Sequence, residues 1–163
     1  MITPHGEYDS SALRALVPQS LQTIIVPHLC SELSSDEDAE SVRAFGMAIE
    51  AIKAAVGIWR QVHIYFGTSP LVRRASIAKA TIEISADCVA ISLDDAIYID
   101  LSRLARCPFE VRVAAFIEEF CHVLLNIKSE PLVQTVVCKL YPSVRRHPSL
   151  DRYIPAAESE HNH

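Results

Sequence analysis

Glycine is scarce in this sequence, which has only 4 glycines among 163 residues. Loops that bind nucleotide phosphates, such as GxGxxG and Walker A, need several glycines close together because the backbone must approach the phosphates. No two of the four lie close enough to form such a loop: Gly6, Gly46, Gly57 and Gly67. Both kinds of nucleotide-binding loop are therefore excluded.

Paired cysteine motifs and long apolar runs are missing as well. The five cysteines are an odd number and include no CxxC pair: Cys30, Cys88, Cys107, Cys121 and Cys138. This pattern is typical of reduced thiols, so we expect a cytoplasmic protein. No stretch approaches about 18 uninterrupted apolar residues, and the N-terminal MITPHGEYDSS has no signal-peptide pattern, so no membrane association is expected.

Positive charge is in the minority, with 15 Lys and Arg against 20 Asp and Glu and a formal net charge of −5. Binding to a phosphate backbone needs a basic surface, so nucleic acid is not an expected partner. Hydrophobic residues make up 50% of the chain, and the mean hydropathy of +0.19 is high for a soluble protein. These values indicate a large buried interior or an apolar surface for a protein partner or a second copy of the chain.

The chain length fits one domain, because domains commonly have about 100–200 residues. We predict a single domain over residues 1–163, with a core at about 36–142. Residues 143–163 are rich in proline at first and polar at the end, which predicts a wrapping segment followed by a loose C-terminal tail. Residues 1–34 show only a short helical pattern at 11–17.

Helical and strand periodicities alternate along the predicted core. Beyond Ser35, which is placed to cap a helix, apolar residues at helical spacing predict a helix to about residue 59: Val42, Phe45, Ile49, Ile52, Val56 and Trp59. Alternating apolar residues predict a strand at 62–66 and an antiparallel meander over 77–100. Further helices are predicted over 109–127 and at about 131–140. We therefore expect an α+β fold, in which a small, mostly antiparallel sheet of three or four strands packs against two long helices.

Glu118, Glu119 and His122 are among the few polar residues in the mostly apolar helix predicted at 109–127. Glu118 and His122 are four residues apart and lie on the same side of the helix, and Glu119 borders the same space. Burial of a carboxylate costs several kcal/mol unless a partner compensates its charge. The pattern therefore calls for a cation, a protonated histidine or a metal ion beside the two glutamates.

The string Glu118-Glu119-Phe120-Cys121-His122 resembles the HExxH motif of the zincin metallopeptidases, with glutamate in place of the first histidine. The order of helices and strands over about 36–140 is also similar to a minimal zincin core. The resemblance implies that His122 and Glu118 are metal ligands. It also implies that Glu119 is the general base that activates water for attack on a peptide carbonyl.

In zincins of the glutamate type, a third ligand comes from the helix that follows the motif. Glu130 begins the next predicted helix, eight residues after His122. A tight turn at about 126–129 would make the two helices antiparallel and bring Glu130 back to His122. The resemblance thus implies a divalent metal at Glu118, His122 and Glu130. This metal would be zinc or another ion that accepts more oxygen ligands.

Structural roles compete with this chemistry. The polar cluster could instead be an ion-pair or hydrogen-bond network that includes Arg112, Arg103 or Lys53. Core packing is expected for Cys121, and a solvent-facing strand position for His63. Turn roles are expected for Asp94, Asp95 and Asp100, and tail positions without a fixed ligand role for His161 and His163.

Two functions follow as hypotheses. The first is a zincin-like, metal-dependent hydrolase of the peptidase type, acting on a peptide or protein with Glu119 as base. The alternative is a non-catalytic protein-interaction module that keeps a zincin-like frame and has lost the metal.

Overall fold

Five α-helices and eight β-strands make up the described part of the chain. The computed structural model describes residues 9–33, 35–55, 60–75 and 78–159. The helices are α1 Ser11–Leu16, α2 Asp36–Ala55, α3 Leu101–Leu104, α4 Phe109–Leu124 and α5 Glu130–Leu140. The strands are β1 Ile25–Leu29, β2 Val62–Gly67, β3 Leu71–Ala75, β4 Ala78–Ile82, β5 Ala90–Leu93, β6 Ala96–Asp100, β7 Val144–Arg146 and β8 Tyr153–Pro155.

A four-stranded sheet in the order β1-β2-β6-β5 forms the centre, and two hairpins, β3-β4 and β7-β8, form separate two-stranded sheets. The predicted α+β class with small sheets is confirmed. The strand directions in the central sheet differ from the prediction, because β1 and β2 are parallel, β2 and β6 are parallel, and only β5 and β6 are antiparallel. A mostly antiparallel central sheet was therefore the wrong expectation.

Chain connections explain the difference in strand direction. Between β1 and β2 the chain passes through α2, and a crossover of this length returns the next strand parallel to the first. Between β2 and β6 the β3-β4 hairpin is inserted, and β4 pairs with β3 instead of continuing a meander. Only the part of the predicted meander at 90–100 forms the expected hairpin. Its two-residue turn needs no glycine, because Asp94 adopts a φ of 55°.

The main core lies between one face of the central sheet and the helices α2 and α4. Alternation along β2 and β6 directs residues such as Ile64, Phe66 and Ile97 to this face, where they are fully buried. Phe45 of α2 meets the Phe66 ring at 5.1 Å and the Phe116 ring of α4 at 5.5 Å. The apolar pattern predicted for α2 is buried as expected at Phe45, Ile49 and Ile52, whereas Val56 and Trp59 lie outside the described residues.

Local signals place the helix ends close to their predicted positions. The Ser35 hydroxyl accepts a hydrogen bond from the Asp38 backbone N–H at 3.0 Å, and the Asp38 carboxylate accepts one from the Ser35 N–H at 3.1 Å. This reciprocal cap starts α2. The α4 helix ends at Leu124, three residues before the predicted end.

Among the described residues, no helix is long and apolar enough to cross a lipid bilayer.

Segment 143–155, predicted to wrap around the core, forms the β7-β8 hairpin and packs against α4 and α5. The end of the predicted tail, with His161 and His163, lies outside the described residues.

Asp100 is a buried structural acid that joins the end of β6 to α3. Its Oδ1 accepts hydrogen bonds from the Ser102 and Arg103 N–H groups, at 3.0 and 3.2 Å. Its Oδ2 lies 3.2 Å from Nε of Arg103 and accepts a hydrogen bond from the Ser69 N–H. Arg103 in turn donates to the backbone carbonyls of Ile84, Ser85 and Cys88. The turn role expected for Asp100 is therefore not what the structure shows, because Asp100 ends β6, caps α3 and pairs with Arg103.

Replacement of Asp100 by alanine is expected to lower the free energy of unfolding by about 3 kcal/mol, because it removes a helix cap and leaves a half-buried guanidinium without its carboxylate. Urea unfolding followed by circular dichroism measures the change. Asp87→Ala, at an exposed turn position, is the matched control and should change stability by less than about 0.5 kcal/mol. Equal losses in the two variants would contradict this role for Asp100.

Candidate metal centre

Glu118, His122 and Glu130 converge in the structure. Glu118 and His122 lie one turn apart on α4, and Glu130 is the first residue of α5. One potential ligand atom from each residue lies within 4.8 Å of the other two. The structure thus brings together the three residues for which the resemblance implied a metal, and this group could hold an ion.

A left-handed residue makes the return from α4 to α5 tight enough for this contact. Asn126, two residues after α4 ends at Leu124, has a φ of 52°. Asparagine adopts this conformation more readily than most residues and often ends helices. The turn places the Ile127 carbonyl beside the His122 ring and starts α5 within reach of the same ring.

The His122 ring is oriented by a backbone hydrogen bond. Its Nδ1 lies 2.6 Å from the Ile127 carbonyl oxygen. Because a carbonyl oxygen only accepts, Nδ1 must carry the hydrogen and the neutral ring keeps a lone pair on Nε2. Nε2 lies 3.6 Å from Oε1 of Glu130. The ring therefore presents its free nitrogen to the carboxylate, as metal-ligating histidines do when their other nitrogen is hydrogen-bonded.

Glu119 lies beside the group of three and points to the sheet side of α4. Its side chain is only 9% exposed, and its Oε2 is buried and has no hydrogen-bond partner among the residues that the structure describes. Burial is the main cause that raises the pKa of Glu119 to about 7. His122 and the Ser92 hydroxyl lower this pKa, and the charge of Glu118 raises it. A carboxyl group with this pKa can take up and release a proton near neutral pH.

Tyr153 is a neighbour of Glu118 that the sequence analysis did not predict. Burial also raises the pKa of Glu118 to about 7, while the Tyr153 hydroxyl lowers it and Glu130 raises it. Tyr153 lies on β8 and is buried, and its hydroxyl faces Glu118 without a hydrogen bond of normal geometry. Burial, together with the Glu118 charge, raises the pKa of Tyr153 above its usual range, so the phenol stays neutral. No local motif around Tyr153 indicates this position, since only the packing of the hairpin on α4 creates it.

The three cations considered as partners of the acidic pair bind elsewhere. Arg112 lies 3.6 Å from Glu40, and its guanidinium donates to the carbonyls of Glu37, Ala105 and Cys107. The other two pair with nearby acids, Arg103 with Asp100 at 3.2 Å and Lys53 with Glu50 at 3.8 Å. The ion-pair interpretation of the cluster is therefore wrong for these cations.

The interpretation of Cys121 as a core residue is confirmed, because it is fully buried and burial raises its pKa to about 12.

A cleft with a volume of about 920 Å³ opens beside these side chains. One wall is α4, with Ala115, Glu118, Glu119 and His122, and the opposite walls are strand β5 and residues 151–155 of the second hairpin. Strand β5 is at the edge of the central sheet, and no strand within the described ranges pairs with its outer side. The cleft therefore combines a free strand edge with a group of potential metal ligands.

Comparisons with known proteins add no assignment. Protein-family models, curated proteins and solved structures were compared with the chain, and none of them matches it. The likeness to zincins consequently rests on the EExxH string and on the convergence of Glu118, His122 and Glu130.

The raised pKa values of the two glutamates predict a pH effect on the stability of the metal-free protein. A carboxyl group that binds its proton more tightly when folded stabilises the fold below its unfolded pKa, and this contribution is lost as the pH rises through the folded pKa. Both folded pKa values are about 7, against an ordinary value of 4.5. The stability of the double variant Glu118→Gln/Glu119→Gln relative to the wild type should therefore rise between about pH 4.5 and pH 7, by about 3 kcal/mol for each carboxyl group.

Urea unfolding at several pH values in the presence of a chelator measures this difference. Contributions from other groups, including His28 with its lowered pKa, are shared by both proteins and cancel. Glu50→Gln, on the exposed surface of α2, is the control and should follow the wild-type curve. Parallel curves for the double variant and the wild type would show that the two carboxyl groups titrate normally.

Proposed function

We propose that this protein is a metal-dependent hydrolase of the zincin-like type that cleaves peptide-type bonds. One observation carries the proposal: a histidine and two glutamates from two helices bring ligand atoms within 4.8 Å of one another, next to a buried glutamate whose pKa is about 7. In this arrangement Glu118, His122 and Glu130 hold a divalent ion, and Glu119 is the general base.

The residues present fit a divalent ion. Zinc ligands lie about 2.0–2.2 Å from the metal, so two ligands of one ion are at most about 4.4 Å apart, and the observed 4.8 Å limit needs only small side-chain movements. The hydrogen bond from His122 to the Ile127 carbonyl leaves Nε2 available. A cation would also compensate the charge of an acidic pair that has no cationic partner among Arg112, Arg103 and Lys53.

The ligand types favour zinc or a harder divalent ion. One imidazole and two carboxylates are compatible with zinc, and the excess of oxygen ligands also suits manganese or ferrous iron. The resemblance to zincins supports zinc as the first ion to test.

The chain's own residues would divide the remaining work. A divalent ion bound here would act as a Lewis acid on the peptide carbonyl. Glu119, with a pKa near 7, accepts the proton of the attacking water and returns it to the departing amine. Tyr153 stays protonated and adds a neutral phenol to the wall of the cleft beside Glu118. The free edge of β5 offers backbone hydrogen bonds to an extended peptide, which supports a peptide-type substrate.

Metal content is the first test. Elemental analysis of the purified protein after incubation with zinc should show about one ion per chain, as expected for a single three-ligand site. His122→Ala and Glu130→Gln should each lose this ion, whereas Glu50→Gln should keep it. If the wild type binds no divalent ion even at saturation, the hydrolase proposal fails and the alternative of a non-catalytic interaction module is favoured.

Hydrolysis of a peptide library is the second test. Glu119→Gln should keep the metal and lower kcat/KM by at least about 100-fold, because the amide cannot accept the proton of water. Glu110→Gln, in the first turn of the same helix, should retain wild-type activity. Equal activity of Glu119→Gln and the wild type would remove Glu119 from the mechanism, and a metal-loaded wild type that cleaves no peptide would refute peptide hydrolysis.

A further inference from the structure

An open apolar groove lies on the outer face of α2. It has a volume of about 620 Å³ and runs between the end of α1 and α2. The apolar part of its lining is formed by five residues: Leu16, Ala39, Val42, Gly46 and Met47. Leu16 and Met47 are large apolar side chains that are exposed to solvent. Within the described part of the chain, the groove shares no lining residue with the cleft beside the potential metal ligands, so it is a separate surface.

Four exposed charged side chains of α2 are arranged symmetrically about the middle of this face. Glu40 and Arg43 come before the midpoint between residues 46 and 47, and Glu50 and Lys53 follow it. Arg43 and Glu50 are equally far from the midpoint, and so are Glu40 and Lys53. Because each residue turns the helix by about 100°, Arg43 and Glu50 lie within about 20° of one line along it. A two-fold rotation about the midpoint therefore exchanges a basic with an acidic residue at each distance.

The ion pairs that these side chains make within the chain are loose. Arg43 lies 3.6 Å from Glu40, and Lys53 lies 3.8 Å from Glu50. Both distances exceed the roughly 2.7–3.2 Å of a normal hydrogen bond, and exposed pairs of this kind contribute little to stability. Arg43 also lies over the Phe109 ring, with its guanidinium carbon 4.4 Å from the ring centroid. The charged groups can therefore pair with another molecule at small cost to the fold.

We propose that this face of α2 binds the same face of a second copy of the chain, as an antiparallel dimer with two-fold symmetry. A two-fold interface uses one self-complementary surface twice. With the axis at the 46–47 midpoint, Arg43 of each copy lies opposite Glu50 of the other at the centre of the interface. Glu40 of one copy then lies level with Lys53 of the other, so the outer charges attract each other as well.

The apolar groove gives the dimer a further source of stability. Gly46 has no side chain, so the second helix can approach the backbone closely at this point. Leu16 and Met47, which are exposed in the single chain, would lose contact with water in the dimer. Because one helix face is smaller than a standard interface of about 1,600 Å², we expect a weak dimer with a dissociation constant of about 10–100 µM.

Sedimentation velocity tests the proposal at protein concentrations on both sides of the expected dissociation constant, from about 5 µM to about 1 mM. The wild type should change from monomer to dimer over this range. Arg43→Glu and Glu50→Arg should each weaken association by about 100-fold, because each variant replaces both central attractive pairs with repulsive ones. Lys139→Glu, at an exposed position of α5, changes the net charge as Arg43→Glu does and should dimerise like the wild type.

An equimolar mixture of Arg43→Glu and Glu50→Arg identifies the interface. In the mixed dimer each central pair again joins opposite charges, so the mixture should associate about as tightly as the wild type, although neither variant does so alone. Circular dichroism checks that both variants are folded. The proposal is overturned if the wild type stays monomeric at about 1 mM, if the single variants dimerise like the wild type, or if the mixture does not associate.

Discussion

The hydrogen bond between His122 and the Ile127 carbonyl, together with the left-handed Asn126, is the constraint on which the convergence of Glu118, His122 and Glu130 depends. Without the sharp turn after Leu125, α5 would begin in another direction and Glu130 would not approach the imidazole. The same hydrogen bond selects the ring nitrogen that faces Glu130. A few residues outside the EExxH string therefore decide whether its side chains can act as one group.

Buried acids give this region its chemical character. Glu118 and Glu119 are adjacent on a helix whose other faces contribute Phe116, Phe120 and Cys121 to the core, and Glu118 is half-buried while Glu119 is buried. Their carboxyl groups therefore hold protons more tightly than usual.

Local patterns in the sequence predicted much of the fold and part of the site. The cap at Ser35, the apolar spacing of α2 and the EExxH helix depend on residues close in the chain, and each is found near its expected position. The parallel pairing of β1 with β2 was missed because it depends on contacts across the intervening helix. Tyr153 and the hydrogen bond between the His28 and His63 rings were missed for the same reason, since only tertiary packing brings these side chains to their partners.

The unequal exposure of the three potential ligands has a consequence for ion exchange. The His122 side chain is 16% exposed and that of Glu130 is 53% exposed, so the solvent-facing side of the group is formed by Glu130. Glu130 would therefore be the ligand through which a bound ion exchanges with solvent and with chelators, while His122 would hold the ion from the inner side of the group.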